Sequence, residues 1–312
     1  MPSTDLVSGV FAASLTPMTP AGAPDHTMAV GHCRWLLENG CDGLAPLGTT
    51  GEANSQSLAD RMALIEAIAA AGLPANRVVV GTGGCALGDT VALTRCAIDA
   101  GYPNALVLPP FYYKGVSDDG LFAYYAALIE RIGDPQFRLY LYHFPQMSAV
   151  PLSPALIGRL RDAFGDVVAG LKDSSGDWAN TKHLIDAFPG FRVFSGSEQF
   201  LADNVAAGGV GCISASVNVT APLAARVLRA DPADRAQLQQ ELTAIRTALQ
   251  GFPMIPALKR ILEWHTGNPG WRNVLPPLLA LSEAEATELR RKIADFPLFR
   301  DEIALGAATA SR

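Results

Sequence analysis

Residues 166–176 read DVVAGLKDSSG, an unbroken run of small and apolar residues that ends on a lysine and passes directly into turn-forming aspartate, serine and glycine. A strand with one wet face alternates apolar with polar, whereas a run that is apolar at every position suits a strand covered on both faces, the situation of a parallel sheet. The pattern recurs seven more times: GVFAASL from Gly9, GLAPLG from Gly43, RVVVGTG from Arg77, NALVLPP from Asn104, RLYLYHF from Arg138, FRVFSG from Phe191 and GVGCIS from Gly209. The intervening segments carry helical signals. Leu58, Met62, Ile65 and Ala69 fall on one stripe, and Ser153 followed by Pro154 supplies a cap and a first-turn proline. Eight β-α units in about 220 residues predict an α/β fold, a closed (β/α)8 TIM barrel. A doubly wound sheet is disfavoured because it normally has fewer strands and because no GxGxxG turn follows the first one. GTGGCALG from Gly81 matches neither that fingerprint nor a P-loop, and reads as a tight β-α turn.

Beyond about Pro222 the pattern is wholly helical. Asp231-Pro232 opens one helix, residues 252–264 form another, and Ser282 with Glu285 makes a capping box for a third. The eighth unit needs only one helix, so the chain divides into a catalytic barrel, 1–229, and a C-terminal helical appendage packed on it, 230–312, with GNPGWRNVLPP as a linker.

Composition excludes several classes of function. The 312 residues are 49% hydrophobic and 17% charged, enough to bury a large core. The net charge is −6, with Lys and Arg scattered, so there is no footprint for nucleic acid. No segment approaches a membrane span, and the N-terminal MPSTDLVSGVF lacks a secretory pattern. The five cysteines, Cys33, Cys41, Cys85, Cys96 and Cys212, form no CxxC pair and read as free buried thiols in a reducing cytoplasm. The five histidines are isolated, so no metal and no cofactor is expected; His143 draws attention because it directly follows Tyr142.

In a barrel of this kind chemistry sits where strands end. The residues there are GTTGE from Gly48, Phe111-Tyr112-Tyr113, Tyr142 and His143, Lys172, Ser195-Gly196-Ser197, and Ile213-Ser214. Lys172 is the most informative: an amine in a partly apolar cavity is a nucleophile toward ketones. The alternative is that Lys172 closes the strand and pairs with Asp173 or another carboxylate. Tyr142 is placed to relay a proton, and the hydroxyls of Thr49 and Tyr112 could complete a relay to water; taken singly, a strand-end tyrosine is an ordinary packing residue. The Gly-Thr turn offers backbone amides suited to a carboxylate. Glu52 reads as a structural residue bonding that loop, with a general-base role as the alternative.

GTTGE at Gly48, PFYYK at Pro110, LYHFP at Leu141, GLKDSSG at Gly170, SGS at Ser195 and GCIS at Gly211, in this order over residues 7–281, resemble the pyruvate-dependent class I aldolases that include dihydrodipicolinate synthase and N-acetylneuraminate lyase. The resemblance implies a barrel with a C-terminal helical region, assembled as a homotetramer or dimer, in which Lys172 forms an imine with C2 of pyruvate or another 2-oxo acid. It implies Tyr142 as the proton relay, helped by Thr49 and by Tyr112 from a neighbouring subunit, with Tyr113 the other candidate. It also implies Thr50 and nearby amides, Gly48 included, around the substrate carboxylate, with Gly196 and Ile213 lining the pyruvate pocket. Dihydrodipicolinate synthases carry an arginine two residues beyond the proline of the fourth motif's upstream neighbour, LYHFP; here Pro145 is followed by Gln146 and Met147. The bidentate carboxylate clamp is missing, which argues against that synthase activity. Met147 and Ser197 are expected to shape the distal pocket.

The leading expectation is therefore a Schiff-base lyase acting on pyruvate and a 2-oxo acid. The alternatives are an imine-dependent dehydratase or deaminase of a 2-oxo-3-deoxy sugar acid, dihydrodipicolinate synthase itself, and, from a different class, a non-catalytic small-molecule-binding barrel. The last would need neither Lys172 nor Tyr142.

Overall fold

The computed structural model describes residues 6–299; the ends of the two expected regions, 1–5 and 300–312, lie outside them. Each of the eight apolar runs contains a strand: β1 (Gly9–Ala12), β2 (Gly43–Leu44), β3 (Val80–Gly81), β4 (Asn104–Val107), β5 (Arg138–His143), β6 (Val168–Asp173), β7 (Arg192–Ser195) and β8 (Gly211–Ser214). The sheet runs β2-β1-β8-β7-β6-β5-β4-β3, and all its pairings are parallel. A parallel bridge between Leu44 and Val78, with Val79 N donating to Leu44 O and Gly81 N to Pro46 O, joins its two edges and closes the barrel.

Closure explains why the strands are apolar on both faces, with polar residues confined to their ends. One set of side chains, among them Phe11, Val79, Leu106, Tyr140, Phe194 and Ile213, fills the barrel interior. The alternate set packs outward against the helices. In the helix Leu58–Ala70 the buried stripe is Arg61, Leu64, Ile65 and Ile68, so the expected stripe is displaced: Leu58, Met62 and Ala69 are only partly buried. Arg61 occupies the seam because its guanidinium donates to the carbonyls of Gly81 and Gly83, both at 3.2 Å. The glycines of that turn have a packing reason too. A Cβ on Gly81 would fall 2.2 Å from Leu47 O, and one on Gly83 2.5 Å from Leu108 N.

The helix starts follow their caps. Ser153 accepts from Leu156 N at the head of Pro154–Phe164, and Ser282 with Glu285 forms the full capping box of Glu283–Ile293. The helices Pro232–Gln250, Met254–Thr266 and Glu283–Ile293 contribute Leu242, Ile245, Leu258 and Leu289 to the same apolar cluster as Leu36, Leu64 and Val217. The core thus runs uninterrupted past residue 229. The GNPGWRNVLPP stretch lies within this packing rather than acting as a free linker: Trp271 is buried, and its ring meets His32 edge-on at 5.0 Å. The cysteines are free thiols, but not all are buried, since Cys85 is exposed and Cys96 half-buried. Among the described residues no helix is long and apolar enough to cross a membrane.

Candidate active site

β5 and β6 lie side by side with Leu141 beside Leu171, Tyr142 beside Lys172 and His143 beside Asp173. Successive side chains on a strand point to opposite faces. Leu141 and Leu171 pack outward against the helices, so Tyr142 and Lys172 turn inward together. Lys172 is 4% exposed; its Nζ donates to Tyr142 Oη at 3.2 Å and stands 4.3 Å from the centre of that ring. The pairing alternative is not met. Asp173 points the other way, its carboxylate accepting from Ser175 N at 2.9 Å, Asn180 Nδ2 at 2.9 Å and Thr181 Oγ1 at 2.7 Å. Among the described residues Lys172 makes no ion pair.

Tyr142 Oη lies 3.4 Å from Thr49 Oγ1, which extends the chain of polar groups from Lys172 to the turn after β2. Two residues in the left-handed region, Leu47 at φ 59 and Glu52 at φ 55, bracket that turn. Non-glycine residues rarely stay there unless their surroundings over-determine them. Glu52 is over-determined: it is buried, its carboxylate pairs with Lys259, and it accepts from Leu275 N at 2.7 Å. The expectation is a side chain bonding its own loop; its carboxylate partners are instead in the C-terminal helical region. Within the turn the amides of Gly51, Glu52 and Ala53 donate to Gly48 or Thr49 carbonyls. The amides of Thr49 and Thr50 donate to no group among the described residues, which leaves two N–H groups beside the Thr50 hydroxyl.

Thr49, Thr50, Tyr142, Lys172, Gly196 and Ser197 line one cavity of about 570 Å³. Gly196 admits no side chain there, because a Cβ would fall 2.1 Å from Ser174 Oγ and 2.8 Å from Asp173 O. Its backbone therefore closes on the end of β6, with Gly196 N donating to Asp173 O at 2.6 Å. Met147 and Gln146 stand on the outer wall, and Ser197 caps the short turn that follows it. Other expected residues lie elsewhere. Gly48 borders a small cleft behind Thr49 and Tyr142. Ile213 is fully buried inside the barrel beside Phe11 and Phe194, and the wall beyond β8 is formed by Ala215. Tyr112 and Tyr113 are 74% and 73% exposed, stacked edge-on to each other at 5.2 Å, and neither joins the cavity of its own chain.

His143 is a fastening residue: its Nδ1 accepts from Leu152 N at 3.1 Å, and burial lowers its pKa while Asp173 opposes the shift. His32, bonded to Asn218 at 2.8 Å, is lowered by burial to about 4. Among the described residues no group of three His, Cys, Asp or Glu could hold a metal ion.

Sequence reading missed the wall that the C-terminal helices supply. Arg246, Gln250 and Met254 line the cavity with Gln199. Arg246 carried a signal, since it follows Leu242 and Ile245 along the buried stripe of its helix. Lys259 carried one as well, as a lysine among Pro256, Leu258 and Leu262 on a buried helix.

The chain matches the Dihydrodipicolinate synthetase family over residues 6–295. It is 40% identical over 285 residues to an uncharacterised DapA-like lyase of Chloroflexus aurantiacus, covering 90% of this chain and 94% of that protein. It is 32% identical to a 4-hydroxy-tetrahydrodipicolinate synthase of Thermus thermophilus, covering 86% and 89%. Among solved structures it resembles dihydrodipicolinate synthase from Agrobacterium tumefaciens, with a TM-score of 0.85, 33% identity, and coverage of 93% and 100%. It also resembles YagE, a prophage protein of that family from Escherichia coli K12 crystallised with pyruvate, with a TM-score of 0.87, 27% identity, and coverage of 94% and 99%.

Proposed function

The chain belongs to the dihydrodipicolinate synthetase family, and from that premise we propose that it is a lysine Schiff-base lyase that cleaves or forms a C–C bond through an imine between Lys172 and pyruvate or a related 2-oxo acid. The observation that carries this reading is a buried lysine with no ion-pair partner among the described residues, aimed into a cavity and bonded to a strand-end phenol. In the proposed reaction Lys172 Nζ attacks C2 of the 2-oxo acid. Tyr142 Oη gives a proton to the departing hydroxyl, water leaves, and an iminium results. The iminium is an electron sink: the C4 hydroxyl of a 4-hydroxy-2-oxo acid gives its proton to the Tyr142 phenolate, the C3–C4 bond breaks, its electron pair enters an enamine and an aldehyde leaves. Protonation at C3 and hydrolysis then return pyruvate and free lysine. Thr49 is the route by which the phenol regains its proton. The amides of Thr49 and Thr50, with the Thr50 hydroxyl, suit the C1 carboxylate.

Dihydrodipicolinate synthesis is not the preferred activity, because the loop after β5 carries Met147, 63% exposed on the cavity wall, at the position where the resemblance would place an arginine. The reading includes a homo-oligomer in which Tyr112 serves a neighbouring copy, and a cytoplasmic location consistent with five free cysteines.

The test is borohydride reduction of the protein with pyruvate, followed by peptide mass analysis of wild type and Lys172→Ala. We expect one adduct, on Lys172, absent from the variant. A folded wild-type protein that gains no adduct with any 2-oxo acid overturns the reading.

A further inference from the structure

Arg246 enters the cavity from the helix Pro232–Gln250, outside the strands that carry Lys172 and Tyr142. Its side chain is 14% exposed. All of its hydrogen bonds among the described residues leave from one terminal nitrogen: Nη1 donates to Ser216 Oγ at 2.7 Å and to Ser214 Oγ at 3.3 Å, and lies 3.7 Å from the Glu198 carboxylate. Glu198 is fully buried, and both its carboxylate oxygens already accept serine hydroxyls, from Ser214 and Ser216. This is not the bidentate fork that an arginine makes when its whole function is to neutralise a carboxylate. Nη1 is anchored and oriented by the buried hydroxyl-carboxylate cluster, and the charge is shared rather than consumed. The rest of the distal wall is neutral: Gln146, Met147, Gln199 and Gln250, beside apolar residues such as Phe200 and Met254. Apart from Lys172 and the outward-turned Asp173, Arg246 is the charged group on this cavity.

We infer that Arg246 determines specificity by binding an anionic group, a carboxylate in the first instance, at the end of the substrate remote from C2. The substrate class is then a 2-oxo acid with a second acidic terminus. The cationic contact thus comes from a residue of the C-terminal helical region and not from the loop after β5, where Gln146 and Met147 stand. This deepens the function proposed above and rests on it.

The test uses imine trapping rather than turnover, so it needs neither the natural aldehyde nor a reaction direction. Lys172 Nζ bonds to C2, water leaves, and hydride from borohydride adds to C2 to give a stable secondary amine. Half-saturating concentrations for trapping are measured with two matched pairs: 2-oxoglutarate against 2-oxopentanoate, and 2-oxoadipate against 2-oxohexanoate. Members of a pair differ only in whether the far carbon is a carboxylate or a methyl group. Wild type is expected to favour the dicarboxylate by about tenfold or more in at least one pair, the scale of a charge-assisted contact, and Arg246→Gln to abolish the preference. Arg246→Lys keeps the charge without the fork and should retain part of it, which also supplies the readout if the glutamine variant does not fold.

A purely structural role for Arg246 would move both members of a pair alike and leave their ratio unchanged, and that result overturns the inference while the aldolase reading stands. So does a wild type with no preference, or one that traps pyruvate but neither dicarboxylate. A wild type that traps no 2-oxo acid, pyruvate included, overturns the aldolase reading and this inference together.

Discussion

Tyr142 Oη stands between Lys172 Nζ at 3.2 Å and Thr49 Oγ1 at 3.4 Å, which makes the phenol the link through which protons reach the amine. Tyr142→Phe keeps the ring beside the Lys172 nitrogen and removes only the relay. We expect it to lower the rate of imine formation by roughly 10²- to 10³-fold, within the range for general acid-base groups. Thr49→Val should cost about tenfold, since water can take the place of a hydroxyl at the end of a chain. Rapid-quench trapping with pyruvate measures both rates; a loss in Thr49→Val as deep as that in Tyr142→Phe would put the reacting proton on threonine instead. The inner part of this site was legible in the sequence because strand alternation decides it: once LYH and LKD are read as neighbouring strand ends, Tyr142 and Lys172 share a face. The fate of Asp173 was not legible. Its carboxylate is taken by Asn180 and Thr181, at the head of the next helix, and only the folded chain brings them within reach.

At the scale of elements, the turn carrying Thr49 and Thr50 is held from outside the barrel. Lys259, on the helix Met254–Thr266, pairs with Glu52 and donates to Asn273 O at 2.7 Å, while Leu275 N donates to the same Glu52 carboxylate at 2.7 Å. Burial lowers the pKa of Lys259 and the attraction of Glu52 opposes that shift, so the lysine charge depends on its partner. Removing one partner strands the other in the interior, at a cost of about 3–5 kcal/mol, whereas replacing both is far milder. Lys259→Met should therefore lower the urea midpoint sharply and weaken pyruvate trapping through the loosened turn, and Glu52→Gln with Lys259→Met should recover most of the stability. A Lys259→Met cost below about 1 kcal/mol would mean that the pair does not hold the turn. The elements themselves were readable: eight apolar runs gave eight strands, and the Ser153 and Ser282 caps start helices where expected. What the elements do to one another was less so. A charged residue on an apolar stripe violates the pattern from which stripes are recognised, so Arg61, Arg246 and Lys259, which tie elements together, were read past.

At the scale of the whole molecule, the loops after β4 and β5 hold large side chains in water, and one of them, Met147, lines the cavity. Tyr112, Tyr113 and Met147 are 74%, 73% and 63% exposed, and Lys114 Nζ ties the two loops together by donating to Ser148 O at 2.9 Å. An aromatic side chain typically buries about 150–250 Å² in a core or interface. On the homo-oligomer reading proposed above, these two adjacent tyrosines are the surface a second copy of the chain would cover. Light scattering should therefore give a mass that is a multiple of 32.9 kDa. Replacing both rings, Tyr112→Ala with Tyr113→Ala, should shift the assembly toward monomer as the protein is diluted. Tyr112→Phe separates packing from chemistry, because it keeps the ring and removes the hydroxyl. If Tyr112 serves the neighbour's site, this variant holds the wild-type mass and loses turnover, while Tyr113→Phe keeps both. A double-alanine variant that runs as a monomer with wild-type turnover would show that each chain completes its own site and that these rings serve assembly alone.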